Sequence, residues 1–376
     1  MGLLAGLLLS WRLWVSSARS YPLTPVFSFL APLPYPIDYG VFFLALFILL
    51  FIGVAKTPRL SLIFLFLISV LLVAEDQSRW RVWFYQYLFT LGALVIYFRK
   101  PGDETTRKQA MFIGGLILTS IYFWSGVQKL NTAFFTKTFP WIISPLANLF
   151  PQSIQPIFNS FAFLALLTEV GLSIGLWIPR WRNFFVLLAI SMHAFALFLI
   201  GPFGHGWNTI AWPWNIAFGV LAPLLFWNSP ISFKDAVKGR SKIYLAYLTC
   251  IIILFSLIPA LSFFDYWDSY PSFALYSGNT KVGVMSIKES AWEPLPASIK
   301  KYTGRREEGF SLRIFDWSLG ELGVAPYPEE RIYKNILKKL CGAAAAPDDF
   351  VLSVTQKPGI LTGIAETNRY NCQGKL

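Results

Sequence analysis

The chain has 376 residues, of which 55% are hydrophobic, 18% aromatic and only 14% charged, against roughly 25% charged in a soluble globular protein. Together with a mean hydropathy of +0.52, this excludes a disordered chain, a collagen and a small disulfide-stapled scaffold, and leaves a polytopic membrane protein. The formal charge of +12 is not a nucleic-acid footprint. Residues 1–264 carry 18 Lys/Arg and 7 Asp/Glu, residues 265–376 carry 14 and 13, and neither a basic helix face nor a Gly-rich phosphate loop occurs.

A hydrocarbon core of ~30 Å needs about 20 apolar residues of helix. Nine stretches approach this: 2–18, 39–55, 60–75, 80–98, 109–130, 157–178, 183–201, 208–227 and 243–264. Tyr39–Ala55 and Ile243–Phe264 hold no charge at all and are hydrophobic on every side, as lipid requires. The first stretch lacks the basic start of a secretory signal. It is read as a retained helix with Arg12 facing its neighbours. Loop charges set orientation. One alternate set carries Lys56, Arg59, Arg99, Lys100, Arg107, Lys108, Arg180, Arg182, Lys234, Lys238, Arg240 and Lys242, whereas the other carries only Arg19, Arg79, Arg81 and Lys137. This alternation predicts a cytoplasmic N-terminus and an extracytoplasmic C-terminal domain. The expected fold is therefore an all-α membrane bundle of about nine transmembrane helices (1–264) with a small extramembrane α+β tail (265–376).

Between the fifth and sixth spans, residues 131–156 are rich in proline and apolar side chains. The segment is expected to lie along the membrane interface or to fold back over the bundle as a lid. In the tail, 273–276 and 281–287 read as strands flanking a hairpin-type turn at 277–280. Residues 310–315 and 350–355 alternate like further strands, and 329–340 has helical spacing. Trp292, Trp317 and Tyr327 form either a binding surface or the tail's core. Cys250 lies inside the last span as a small filler. Cys341 and Cys372 both fall in the tail, where an oxidising compartment allows a disulfide; the alternative is two free thiols.

Charge at bilayer depth is costly, ~2.5–3.5 kcal/mol per group, so each such residue needs a reason. Lys129 ends the fifth span, where it either snorkels to the headgroups or, desolvated, serves as a base. Glu169 is the acidic residue well inside a span, and must be protonated, paired or in a wet cavity. His193 lies in the next span. Counted from the outer ends, the two sit ~18 and ~12 Å deep, which allows a Glu169–His193 contact. His205 is placed in an exposed outer turn, and Gln86 is expected to face inward. No CxxC, HExxH or GxSxG arrangement occurs, so no metal or serine-nucleophile site is expected.

The run Tyr122-Phe-Trp-Ser-Gly-Val-Gln-Lys-Leu-Asn131 resembles the fifth-helix motif of the vitamin K-dependent gamma-carboxylase-like family, also called the horizontally transferred transmembrane (HTTM) family. Tyr21-Pro-Leu, Leu33-Pro-Tyr-Pro-Ile-Asp-Tyr39, the acidic-then-Trp start at Asp76, and Glu169 and His193 keep the family's order over roughly residues 1–230. The resemblance implies an enzyme acting at the outer face on a lipid-soluble quinol, with Lys129 as the base and Glu169 and His193 in support. Trp83 stands where the carboxylase has a functional histidine, and the carboxylase's large lumenal region has no counterpart in 265–376. A second reading is therefore a non-enzymatic module that presents its tail to a partner or protects against a secreted peptide. Partners on either reading are the lipid bilayer and a secreted or membrane protein. An odd span count without an inverted repeat disfavours a transporter.

Overall fold

The computed structural model of the chain describes residues 1–229, 231, 233, 241–359 and 362–376. The loop cations Lys234, Lys238 and Arg240 lie outside the described residues. The helices of the apolar region run in chain order as α1 (Gly2–Leu9), α2 (Trp11–Trp14), α3 (Ile37–Val54), α4 (Arg59–Glu75), α5 (Val82–Tyr97), α6 (Glu104–Val127), α7 (Phe139–Ala147), α8 (Gln155–Asn159), α9 (Ala162–Gly175), α10 (Arg182–Ile200), α11 (Ala211–Phe226) and α12 (Lys242–Ile251). A π-helical stretch and a 3₁₀ stretch extend α12 to Phe264.

Among the described residues, five helices are long and apolar enough to cross a membrane: Ile37–Val54, Glu104–Val127, Gln155–Gly175, Arg182–Ile200 and Lys242–Phe264. The expectation of nine is met only in part. α4, α5 and α11 have 17, 16 and 16 residues, about 24–26 Å at 1.5 Å per residue. The first expected span is broken at Ser10, whose hydroxyl donates to Gly6 O and accepts from Trp14 Nε1. Arg12 is exposed beside the Trp11 ring and does not face other helices. α6 is the hub: 67% of its apolar window is buried, against 22–28% in the other four long helices. Their remaining surface is apolar, the arrangement that suits lipid on the outside and packing within.

Buried charges staple the N-terminal segment to the α4–α5 junction. Arg79 donates to Glu75 and Ser16 side chains and to the carbonyls of Leu13, Leu72 and Trp14, while Arg19 pairs with Asp76. Each of these charges has partners, as burial demands. Gln86 is buried and accepts from Trp214 Nε1 at 2.5 Å, so it does face inward.

The tail forms a six-stranded antiparallel sheet of order β2-β3-β1-β4-β5-β6, from β1 (Val282–Ile287), β2 (Thr303–Arg306), β3 (Gly309–Arg313), β4 (Phe350–Thr355), β5 (Thr367–Asn371) and β6 (Gly374–Lys375). Burial alternates along β1 and β4, the period-2 signature of a sheet covered on one face. Met285 is fully buried in register with Leu312 and Leu352. Helices Ile314–Leu322 and Glu330–Leu340 pack on the sheet. A side chain at Gly283 would meet Tyr333 and Ile314 within about 3.0 Å, so glycine there lets helix and sheet approach. Two expectations need correction. Residues 273–276 are turn, with Phe273 and Tyr276 at φ +62° and +52°; β1 pairs with β3 and β4, and no hairpin forms at 277–280. The strand expected over 310–315 ends at Arg313, where a helix begins. Trp317 and Tyr327 are buried and Trp292 stacks on Phe310 at 4.0 Å, so these aromatics are core. Cys341 and Cys372 form a disulfide, and Cys250 is free.

Candidate functional site

Tyr122, Ser125 and Lys129 recur at i, i+3 and i+7, so the end of α6 turns all three to one side. They line a cavity of about 570 Å³ together with Glu169 on α9 and with His193 and Asn215 on α10 and α11. Most of the remaining wall is aliphatic and aromatic. This size and composition fit a small-molecule site of ~300–1,000 Å³ with a few convergent polar groups.

The polar groups form two poles. At the first, Lys129 Nζ donates to Glu169 Oε2 at 2.6 Å, to Ser125 Oγ at 2.9 Å and to Ser125 O at 3.0 Å. The side chains are 8% and 17% exposed. Lys129 is therefore not snorkelling: its ammonium is drawn back along α6 to a carboxylate. Gly126 makes this possible, because a Cβ there would meet Val170 Cγ2 at 2.8 Å and Glu169 Cβ at 3.3 Å. Glycine brings α6 and α9 close enough for a one-bond ion pair.

At the second pole, Tyr122 OH lies 2.8 Å from His193 Nε2, and Asn215 Oδ1 lies 2.9 Å from His193 Nδ1. Asn215 donates its own amide to Ala211 O, which leaves Oδ1 to accept. The network thus assigns the proton to Nδ1, with Nε2 accepting from Tyr122.

The expected trio shares one cavity, but not as paired. Glu169 contacts Lys129 and not His193. Glu169 sits seven residues into α9, which follows α8 through a turn at Ser160 and Phe161 that keeps right-handed helical dihedrals. Tyr122, Ser125 and Asn215 went unassigned in the sequence reading. The i, i+3, i+7 spacing signals the first two; an amide inside an apolar helix signals the third.

Two other elements close the cavity. In the 131–156 segment, Phe134, Phe139 and Ile143 are buried against Ala162 and Leu199, and the same three line the cavity. The segment is the folded-back lid. From the tail come Phe273, Leu275 and Tyr276. The motif's other polar residues hold that tail turn in place. Asn131 Nδ2 donates to Ser277 O at 2.8 Å, and Asn279 Nδ2 donates to Gln128 Oε1 at 2.6 Å. His205, expected to be exposed in its turn, is half-buried: it stacks on Trp141 at 4.1 Å and its Nε2 lies 2.7 Å from Trp141 O, which anchors the lid. Comparison with protein-family models, curated proteins and solved structures finds no match to the chain.

Proposed function

We propose that the chain is an HTTM-type integral membrane enzyme that deprotonates a weakly acidic, lipid-soluble hydroxy compound of the quinol class at its extracytoplasmic side. The observation that carries this reading is the convergence of Lys129, Glu169 and His193 on one largely apolar cavity. The donor set fits such a compound: apolar walls for a flat ring, and a polar pole at each of two places for its oxygens. Bound there, a hydroquinone supplies an acidic O–H and, after deprotonation, an oxidisable anion.

The residues divide the work. Glu169 Oε2, 2.6 Å from Lys129 Nζ, is placed to take the shared proton. That leaves Lys129 a neutral amine held by Ser125. The amine takes the hydroxyl proton: the O–H bond breaks, an N–H bond forms, and the new ammonium faces the new anion. His193, fixed by Tyr122 and Asn215, orients the opposite side of the ring. The lid and the tail turn exclude water.

The Cys341–Cys372 disulfide supports an extracytoplasmic tail, and the basic-loop alternation supports a cytoplasmic N-terminus. The contribution of Phe273, Leu275 and Tyr276 to the cavity wall favours a tail that completes the site over one merely presented to a partner.

The test uses purified protein in nanodiscs with a naphthohydroquinone, following oxygen uptake. Wild type should exceed empty nanodiscs, and Lys129→Ala and Lys129→Arg should each lose about 100-fold or more, the usual size of a base contribution. Uptake equal in all three, or equal to empty nanodiscs, refutes the proposal.

A further inference from the structure

A second, much smaller cavity of about 20 Å³ lies beside the first, behind a wall formed by Val82, Trp214 and Leu275, which line both. It is also lined by Arg81, Trp83 and Asn208. In each of these three residues one buried polar atom lacks a hydrogen-bond partner: Arg81 Nη1, Trp83 Nε1 and Asn208 Oδ1. Arg81 and Trp83 are each only 5% exposed. Orphaned buried polar groups are rare and call for a missing partner. Arg81 Nη1 and Trp83 Nε1, both donors on one cavity, call for one acceptor.

The charge identifies the partner. Arg81 is a buried cation, and among the described residues no carboxylate lies within 4.0 Å of it. Its guanidinium lies over the Tyr270 ring at 4.7 Å, a contact that does not neutralise it. The other buried arginines have their donors met: Arg79 and Arg19 each hold a carboxylate, and Arg182 donates to the carbonyls of Leu176, Ser229 and Ile231, whereas Arg81 Nη1 has no acceptor. Arg81 is also the N-cap of α5, a 16-residue helix that has no side-chain cap. Free N–H groups and the positive end of the helix dipole face that terminus. Trp83 adds a donor that cannot accept. The Asn208 amide donates to Tyr276 OH at 2.6 Å. Rotating that amide by half a turn lets Tyr276 donate to Oδ1 and turns Nδ2 toward the cavity, an assignment that heavy-atom positions alone do not distinguish. The volume admits one guest of about the size of a water molecule or a monatomic ion.

We propose that Arg81, Trp83, Asn208 and the N-terminus of α5 form a binding site for a single halide-sized anion, chloride under ordinary conditions. The anion neutralises Arg81 and caps α5. Through Val82, Trp214 and Leu275 it supports the wall of the larger cavity.

The test is thermal unfolding of the full-length protein in nanodiscs in chloride, bromide and gluconate salts at equal ionic strength, with a structure determined in bromide. Chloride and bromide should raise Tm by about 2–4 °C over gluconate, and an anomalous bromide peak should appear beside Arg81 Nη1. Arg81→Gln should abolish the halide dependence. Trp83→Phe, which keeps a buried aromatic ring and removes one donor, should weaken it and guards against Arg81→Gln failing to fold. A Tm indifferent to the anion in wild type, or a site holding only water in bromide, overturns the proposal.

Discussion

Removing one partner of the Lys129–Glu169 pair should cost far more than removing both. Glu169→Leu leaves an ammonium that is 8% exposed facing an apolar cavity, with only Ser125 Oγ and O as acceptors. Lys129→Met leaves a carboxylate that is 17% exposed with its ammonium gone. Breaking a buried pair in this way costs about 3–5 kcal/mol, because the survivor keeps its desolvation penalty. The partial exposure of Glu169 places its variant at the low end, about 3 kcal/mol. In Lys129→Met/Glu169→Leu no charge remains and the volumes are nearly kept, so the double variant should lie within about 1 kcal/mol of wild type. The coupling between the two sites is then several kcal/mol. Reversible unfolding of all four proteins in mixed micelles, read by tryptophan fluorescence, measures it. Additivity within about 0.5 kcal/mol would mean two independent groups and would refute both the pairing and the burial argument.

Three further outcomes follow from the same structure. Gly126→Ala places a methyl 2.8 Å from Val170 Cγ2 and 3.3 Å from Leu166 O; overpacking should destabilise by about 1–3 kcal/mol and lower quinol-dependent oxygen uptake, whereas Gly40→Ala, with nothing within 4 Å, should do neither. Reducing the Cys341–Cys372 bridge, which spans 31 residues, should lower tail stability by about 3–4 kcal/mol on the loop-entropy estimate, seen as faster limited proteolysis after 340 with reductant and no such effect in Cys341→Ser/Cys372→Ser. The third concerns acid. Burial pushes the Asp265 carboxyl up, but the Lys357 and Lys281 ammonium groups pull it down further, to a net value below the ordinary carboxylate range. A depressed carboxylate contributes stability that is complete above its unfolded value, about pH 4, and is lost as pH falls through the lower folded value. Asp265→Asn should remove this part of the acid transition, followed by near-UV circular dichroism, and lower stability above about pH 5, where the contribution is complete.

Local chemistry determined a good part of this protein. Apolar runs of about 20 residues make helices, so α3, α6, α10 and the 242–264 stretch fall where composition alone places them. Alternation made 282–287 and 350–355 strands, and Ile332, Ile336, Leu337 and Leu340 made 330–340 a helix with one buried side. The spacing of Tyr122, Ser125 and Lys129 already puts them on one face. These are properties of neighbouring residues, and the chain's own periodicity carries them.

Only the tertiary structure decided what those faces meet. Whether Glu169 reaches Lys129 or His193 depends on how closely α9 approaches α6, which the missing side chain of Gly126 sets. His193 went instead to Tyr122 and Asn215, from two other helices. Residues 273–276 read as a strand because they are apolar. Asn131, Gln128 and Asn208, 68 to 151 positions away, hold the turn they form against the cavity. Arg81 looked like one more loop cation; that among the described residues no carboxylate lies within 4.0 Å of it is a fact about packing in three dimensions. Partner choice across such distances follows from helix rotation, separation and crossing, and no local pattern encodes these.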